Sequence, residues 1–128
     1  MSKLAIIPAR GGSKRIPKKN IKFFLGKPII AYAIETAINS KLFDEVMVST
    51  DDHEIAEIAV SYGAKVPFIR SEKNSNDFAT TIDVIKEVIL SYNNLGRKFE
   101  YASCIYPCTP LLSKVRLLES FYLLEEKN

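Results

Sequence analysis

The chain has no tryptophan, a single histidine (His53) and only two cysteines (Cys104 and Cys108) in 128 residues. A four-ligand zinc site of the usual kind cannot be assembled from those three side chains. Both thiols are expected to stay reduced, Cys104 as a small apolar residue of a buried strand. No apolar run approaches the length that spans a bilayer, and Met1 to Ala9 is too short and too soon interrupted for a signal peptide. A cytoplasmic protein with no membrane partner is therefore expected. Acidic residues are missing altogether from positions 1–34, where eight cations stand: Lys3, Arg10, Lys14, Arg15, Lys18, Lys19, Lys22 and Lys27. The total charge of +3 thus divides into +8 over this segment and −5 over the remainder. No repeat, low-complexity tract or linker interrupts the chain, and with 47% hydrophobic residues it can bury one core.

What is present concentrates at Ile6 to Asn20, I-I-P-A-R-G-G-S-K-R-I-P-K-K-N. The run leaves an apolar strand (Leu4 to Ile7) and enters a loop with Gly11 and Gly12 adjacent, five cations and no acid. Such a backbone can approach a polyanion closely while side chains neutralise it, which suits a phosphate. The run lacks G-x-x-x-x-G-K-[ST] and G-x-G-x-x-G, so neither a P-loop nor a dinucleotide turn follows from spacing. A tight turn on a solvated basic surface accounts for the local composition equally well. So concentrated a positive field fits a triphosphate or a nucleic-acid backbone. The cations form one loop and not a stripe interleaved with aromatics, so no nucleic-acid partner is expected.

Downstream, Gly26 and Pro28 set up a helix with Ile29, Ile30, Ala33, Ile34, Ala37 and Ile38 at helical spacing. Val46 to Ser49 reads as a buried strand. Asp51, with Glu54 three residues on, reads as a helix N-cap and its partner, and the helix bearing Ile55, Ile58 and Ala59 stops at Gly63. Lys65 to Ile69 is a third strand, placed near a sheet edge by Pro67. After a turn-rich segment, Arg70 to Phe78, Thr80 or Thr81 caps a helix with Ile82, Ile85, Ile89 and Tyr92. Tyr101 to Tyr106 is a fourth strand, broken by Pro107 and Pro110, and Ser113 opens a last helix with Leu117, Leu118, Phe121 and Leu124. Strands alternating with helices imply an α/β fold with a parallel sheet, of expected order 3-2-1-4. The ligand then sits outside the carboxyl ends of the strands, between the first and fourth. Four loops converge there: Ala9 to Asn20, Thr50 to Asp52, Arg70 to Thr81 and Pro107 to Leu112.

The segment P-A-R-G-G-S-K-R-I-P-K-K-N, with V-S-T-D-D, F-I-R and Y-P-C-T-P following in order, resembles the acylneuraminate cytidylyltransferases, which make CMP-activated nonulosonic acids. The pseudaminic acid branch is the nearest in pattern, because members using N-acetylneuraminate tend to carry Gln where this chain has Tyr106. The resemblance implies a three-layer Rossmann-like nucleotide-diphospho-sugar transferase fold, of which residues 1–128 form the N-terminal, nucleotide-binding part. Family chains continue with further strands, a dimerisation arm and late aspartates that bind magnesium. Mg2+ ligands are expected from that missing C-terminal part, and no metal ligand is assigned here.

The reaction so implied is attack of a hydroxyl of a nine-carbon keto-sugar acid on the α-phosphate of CTP, for surface glycan or flagellin glycosylation. Arg10, Lys14 and Lys19 match the triphosphate positions, Arg10 and Lys19 being the catalytic pair, with Ala9, Gly11 and Gly12 supplying backbone. Asn20, Arg70 and Thr81 match the cytosine-reading positions. Caps or turns explain Asn20 and Thr81 as well, and Arg70 can be a surface cation. Asp51 is read as a cap in preference to a metal ligand. Tyr106 and Thr109 match the sugar-binding mouth of the fourth strand, and a buried aromatic with a wet hydroxyl is the other reading of Tyr106. A non-catalytic CTP-binding module is the alternative to a full enzyme. An unpaired edge of the fourth strand, with Leu111 and Leu112 exposed, is expected to favour a homo-oligomer.

Overall fold

A computed structural model describes residues 2–9, 23–24, 26–71, 81–106 and 121–123. In chain order its elements are β1 (Lys3–Pro8), β2 (Phe23–Phe24), β3 (Lys27–Pro28), α1 (Ile29–Ser40), β4 (Glu45–Ser49), α2 (His53–Ser61), α3 (Thr81–Asn94), β5 (Tyr101–Cys104) and β6 (Phe121–Leu123).

The continuous apolar run Leu4 to Ile7 is wholly buried, as a strand covered on both faces must be. β1 pairs in parallel with β4 on one side, from Leu4 opposite Glu45 to Pro8 opposite Ser49, and with β5 on the other, from Lys3 opposite Tyr101 to Ile6 opposite Cys104. Beyond β4, Lys65 makes a single parallel bridge to Met47, with Val48 N–H donating to the Lys65 carbonyl and Lys65 N–H to that of Val46, each at 2.9 Å. The expected order 3-2-1-4 therefore holds, but the third strand shrinks to one bridge. Pro67, which has no N–H to give, follows two residues later.

Side chains of the sheet alternate between two cores, as the period-2 pleat requires. Ala5, Ile7, Val46 and Val48 pack with Ile30, Ala33, Ile34 and Ala37 of α1 and Ile55 and Ala59 of α2. Leu4, Ile6, Met47 and Ala102 pack with Val84, Val88 and Tyr92 of α3. Helices thus cover both faces, and the three-layer arrangement is as expected. α1 opens at Pro28, whose φ of −55° is preset for a helix entry, and ends with Lys41 left-handed at φ 58°. Gly63 sits at φ +102° after α2, a conformation that favours glycine, and an added Cβ would also stand 3.0 Å from Ile38 Cδ1, which would have to move slightly.

Four expectations are corrected. Phe121 to Leu123 is not helix: β6 runs antiparallel to β5, with Tyr101 opposite Leu123 and Ser103 opposite Phe121. An aromatic Phe-Tyr-Leu run suits a strand beside an available edge, and so short an apolar run does not distinguish helix from strand by period. The edge of β5 expected to be unpaired is thereby covered over Tyr101 to Ser103. The cap of α2 is Asp52 and not Asp51: Asp52 Oδ1 accepts from Glu54 N–H at 2.8 Å and Ile55 N–H at 3.1 Å. Of the expected α3 stripe, Tyr92 is buried and Ile85 and Ile89 pack against the core beside Val84 and Val88, but Ile82 is 59% exposed. The antiparallel β2–β3 hairpin, with Gly26 at φ +90°, was not foreseen.

Candidate active site

Parallel pairing brings the carboxyl ends of β1, β4 and β5 to one edge of the sheet, where β1 runs into Ala9, β4 into Thr50 and β5 into Ile105 and Tyr106. Backbone bonds extend the ladder past the strands. Ala9 N–H donates to the Ser49 carbonyl at 2.8 Å, Ile105 N–H to that of Ile6 at 2.9 Å, and Arg70 N–H to that of Thr50 at 2.7 Å. Three of the four expected loops therefore depart from one place; the fourth, Pro107 to Leu112, lies outside the described residues, and the strand leading to it is described as far as Tyr106.

Among the described residues, Arg70 is a charged side chain built into that edge. It is only 6% exposed, which removes the reading of Arg70 as a surface cation. Its Nε donates to Ser49 Oγ at 3.0 Å and its Nη2 to the Ser49 carbonyl at 2.6 Å. The Ser49 carbonyl thus accepts from both Ala9 and Arg70, using both lone pairs. Ser49 follows Met47 by one pleat repeat, which puts its hydroxyl on the α3 face of the sheet. The next residue, Ser71, is tied to that helix, its N–H donating to Glu87 Oε1 at 3.1 Å.

Cys104, two strands away, reports the same charge. Burial pushes its thiol up to about 11, and the positive charge of Arg70 partly offsets that rise. A thiol so held is neutral near pH 7 and no nucleophile, in keeping with its expected role as a core residue. Thr50 is wholly buried and its Oγ1 accepts from Asp52 N–H at 3.1 Å, which stiffens the turn from β4 into α2.

Of the residues expected to bind CTP, Ala9 is buried at the end of β1, Arg70 lies across the end of β4, and Thr81 is the first residue of α3. Tyr106, expected at the sugar site, follows β5 directly and is 54% exposed, so the buried-aromatic reading does not apply. Arg10, Gly11, Gly12, Lys14, Lys19, Asn20 and Thr109 lie outside the described residues. Among the described residues no three His, Cys, Asp or Glu side chains gather to hold a metal. An open groove of about 420 Å³ on the outer flank of α2 is lined by His53, Ala56, Glu57, Val60, Val66 and Ile69, with no residue of β1 or β5, and is not the crevice described here. No helix of the described residues is long and apolar enough to cross a membrane.

The profile of the cytidylyltransferase family matches residues 4–128. The chain belongs to the cytidylyltransferase family. It is 49% identical over 121 residues to a pseudaminic acid cytidylyltransferase of Campylobacter jejuni, covering 94% of this chain and 52% of that protein. It is 40% identical over 107 residues to a CMP-N,N'-diacetyllegionaminic acid synthase of Legionella pneumophila, covering 84% of this chain and 46% of that one. A solved structure of CMP:2-keto-3-deoxy-manno-octonic acid synthetase complexed with CTP matches with a TM-score of 0.75 at 25% identity, over 91% of this chain and 44% of the other. This cytidylyltransferase chain thus spans about half the length of the curated relatives it matches.

Proposed function

We propose that this chain is the nucleotide-binding part of an enzyme that transfers CMP from CTP to a nonulosonic acid, pseudaminic acid before other members of that class. The observation that carries the reading is 49% identity, over 94% of the chain, to a pseudaminic acid cytidylyltransferase. In the reaction, a sugar hydroxyl oxygen forms a bond to the α-phosphorus as the α–β anhydride bond breaks. Pyrophosphate leaves with that electron pair, and the hydroxyl proton is lost to base or solvent. Little covalent work falls to the protein, so catalysis is alignment and neutralisation of phosphate oxygens.

Arg10, Lys14 and Lys19 supply that neutralisation, with Ala9, Gly11 and Gly12 as backbone close to the phosphates. Asn20, Arg70 and Thr81 read the cytosine, and Tyr106 and Thr109 receive the sugar. Magnesium is proposed as counter-ion of the triphosphate, with ligands assigned to none of the described residues. A cytoplasmic location suits a consumer of CTP. A homo-oligomer belongs to the same reading, on exposed apolar side chains such as Val60, Leu90 and Leu95.

Calorimetric titration with CTP, UTP, ATP and a short oligonucleotide tests the binding half, with preference for CTP expected. Equal affinity for all nucleotides would leave only a phosphate site. Pyrophosphate release with magnesium, CTP and pseudaminic acid tests turnover. CTP binding without release would instead fit the alternative of a non-catalytic CTP-binding module.

A further inference from the structure

Building on the proposed CTP site, we propose that Ser49 is the positioning residue of that site. It fixes the plane of the Arg70 guanidinium, and thereby the preference for cytosine over uracil, without itself touching the nucleotide.

Four observations carry this. Ser49 is 2% exposed, so its hydroxyl is out of reach of a ligand in the crevice. It holds the guanidinium at two points, Nε on Oγ at 3.0 Å and Nη2 on the carbonyl at 2.6 Å. Two bonds to one residue define the orientation of a planar fork, where one bond would leave it free to rotate. The Ser49 carbonyl is itself anchored, since Ala9 N–H bonds it at 2.8 Å within the sheet. Finally, the Arg70 backbone is pinned to the adjacent residue, its N–H donating to the Thr50 carbonyl at 2.7 Å. Both ends of the Arg70 side chain are therefore referred to the end of β4, and the rotamer freedom of a long cation is removed before any ligand arrives.

The chemistry of the base makes that orientation matter. A guanidinium has five donors and no acceptor. Cytosine presents two acceptors side by side, N3 and O2, whereas uracil carries a proton on N3. A donor fork held in a fixed plane discriminates between them, because a buried donor facing another donor is left unpaired. A guanidinium free to turn could avoid that clash and would discriminate less.

The test compares CTP and UTP affinity in the wild type, Ser49→Ala, Ser49→Cys, Arg70→Lys and the double variant Ser49→Ala/Arg70→Lys. Ser49→Ala is expected to lower the CTP-over-UTP ratio by about tenfold, the worth of one hydrogen bond to a charged group. Ser49→Cys, which keeps a weak acceptor, should fall between. In the Arg70→Lys background Ser49→Ala should change the ratio no further, an outcome that a merely structural serine would not give. An unchanged ratio in folded Ser49→Ala, or effects that multiply in the double variant, overturns the role of Ser49 while leaving the CTP site standing. A wild type that binds CTP and UTP equally removes the base-reading site and this role with it. Should Ser49→Ala fail to fold, the wild type alone still decides: the Arg70 Nε–H proton is expected to be resolved and slow to exchange in nucleotide-free protein, and exchange at the rate of a solvated arginine overturns the proposal.

Discussion

Tyr92 and Glu45, 47 positions apart in the chain, meet through a 2.5 Å hydrogen bond from phenol to carboxylate. The other oxygen of Glu45 accepts from Arg97 at 2.5 Å, and Phe68 and Phe99 meet the Tyr92 ring edge-on with centroids 5.4 and 5.2 Å away. Burial first, then Glu45, pushes the Tyr92 phenol well above its usual range. Glu45 opens β4 and Ser49 closes it, so the phenol–carboxylate bond stands at the opposite end of that strand from the Ser49–Arg70 contact, although Phe68 lies two residues before Arg70. Tyr92→Phe keeps the ring and removes the bond, with an expected loss of about 1–2 kcal/mol in urea unfolding. CTP affinity is expected to be unchanged in the folded variant, and a parallel fall in affinity would show that the two ends of the sheet are coupled.

Arg10→Ala and Lys19→Ala are each expected to weaken CTP binding by about 1–3 kcal/mol, as for charge-assisted contacts to phosphate, without unfolding the chain. Titration at several salt concentrations adds a check, since fewer ionic contacts flatten the salt dependence. Wild-type affinity in both variants would take the basic loop out of the site.

Asp52→Ala is expected to destabilise the chain by about 1 kcal/mol by removing the acceptor of two α2 N–H groups, and Asp52→Asn to restore most of it. Asp51→Ala leaves that cap in place. Thermal unfolding of the three variants decides the matter, and a larger loss from Asp51→Ala than from Asp52→Ala would return the cap to Asp51.

Cys104 gives a pH dependence whose sign is set by its raised value. The folded chain holds the thiol proton to about 11, against 9.0 for an ordinary thiol. Its contribution is fully present below pH 9, and is lost as pH rises through 9 to 11, because the unfolded chain ionises first. The loss is on the order of 2 kcal/mol. Tyr92 adds a loss of the same sign at higher pH, so the difference between wild type and Cys104→Ala unfolding curves isolates the thiol. A difference that does not vary between pH 8 and 11 contradicts the burial assigned to Cys104.

Where local pattern and tertiary packing agreed, the sequence was legible. Leu4 to Ile7 is an apolar run of strand length that stops at Pro8 and a glycine pair, which favours a buried strand over a helix, and the spacing of Ile30, Ala33, Ile34 and Ala37 sets the buried stripe of α1. Strand–helix alternation predicts the parallel sheet, but does not by itself decide between 3-2-1-4 and other orders. Phe121 to Leu123 was misread because its partner edge is a tertiary fact that no local period encodes. The cap slipped by one residue because Asp51 and Asp52 are chemically identical and only backbone geometry separates them. The resemblance points to Arg70 but gives no role to Ser49, although Ser49 stands in the V-S-T-D-D motif. A buried serine ending a strand of Val and Met was the available signal, since an interior hydroxyl needs a partner.

The order of β1, β4 and β5 has a consequence during synthesis. β1 precedes both of its partners, and it is the innermost of the three. Leaving the ribosome, it must wait for Glu45–Ser49 to cover one side and then for Tyr101–Cys104 to cover the other. Until Tyr101–Cys104 emerge, the wholly apolar run Leu4 to Ile7 lies at an open edge of any nascent sheet. That interval is when the chain is most exposed to chaperones and to wrong partners.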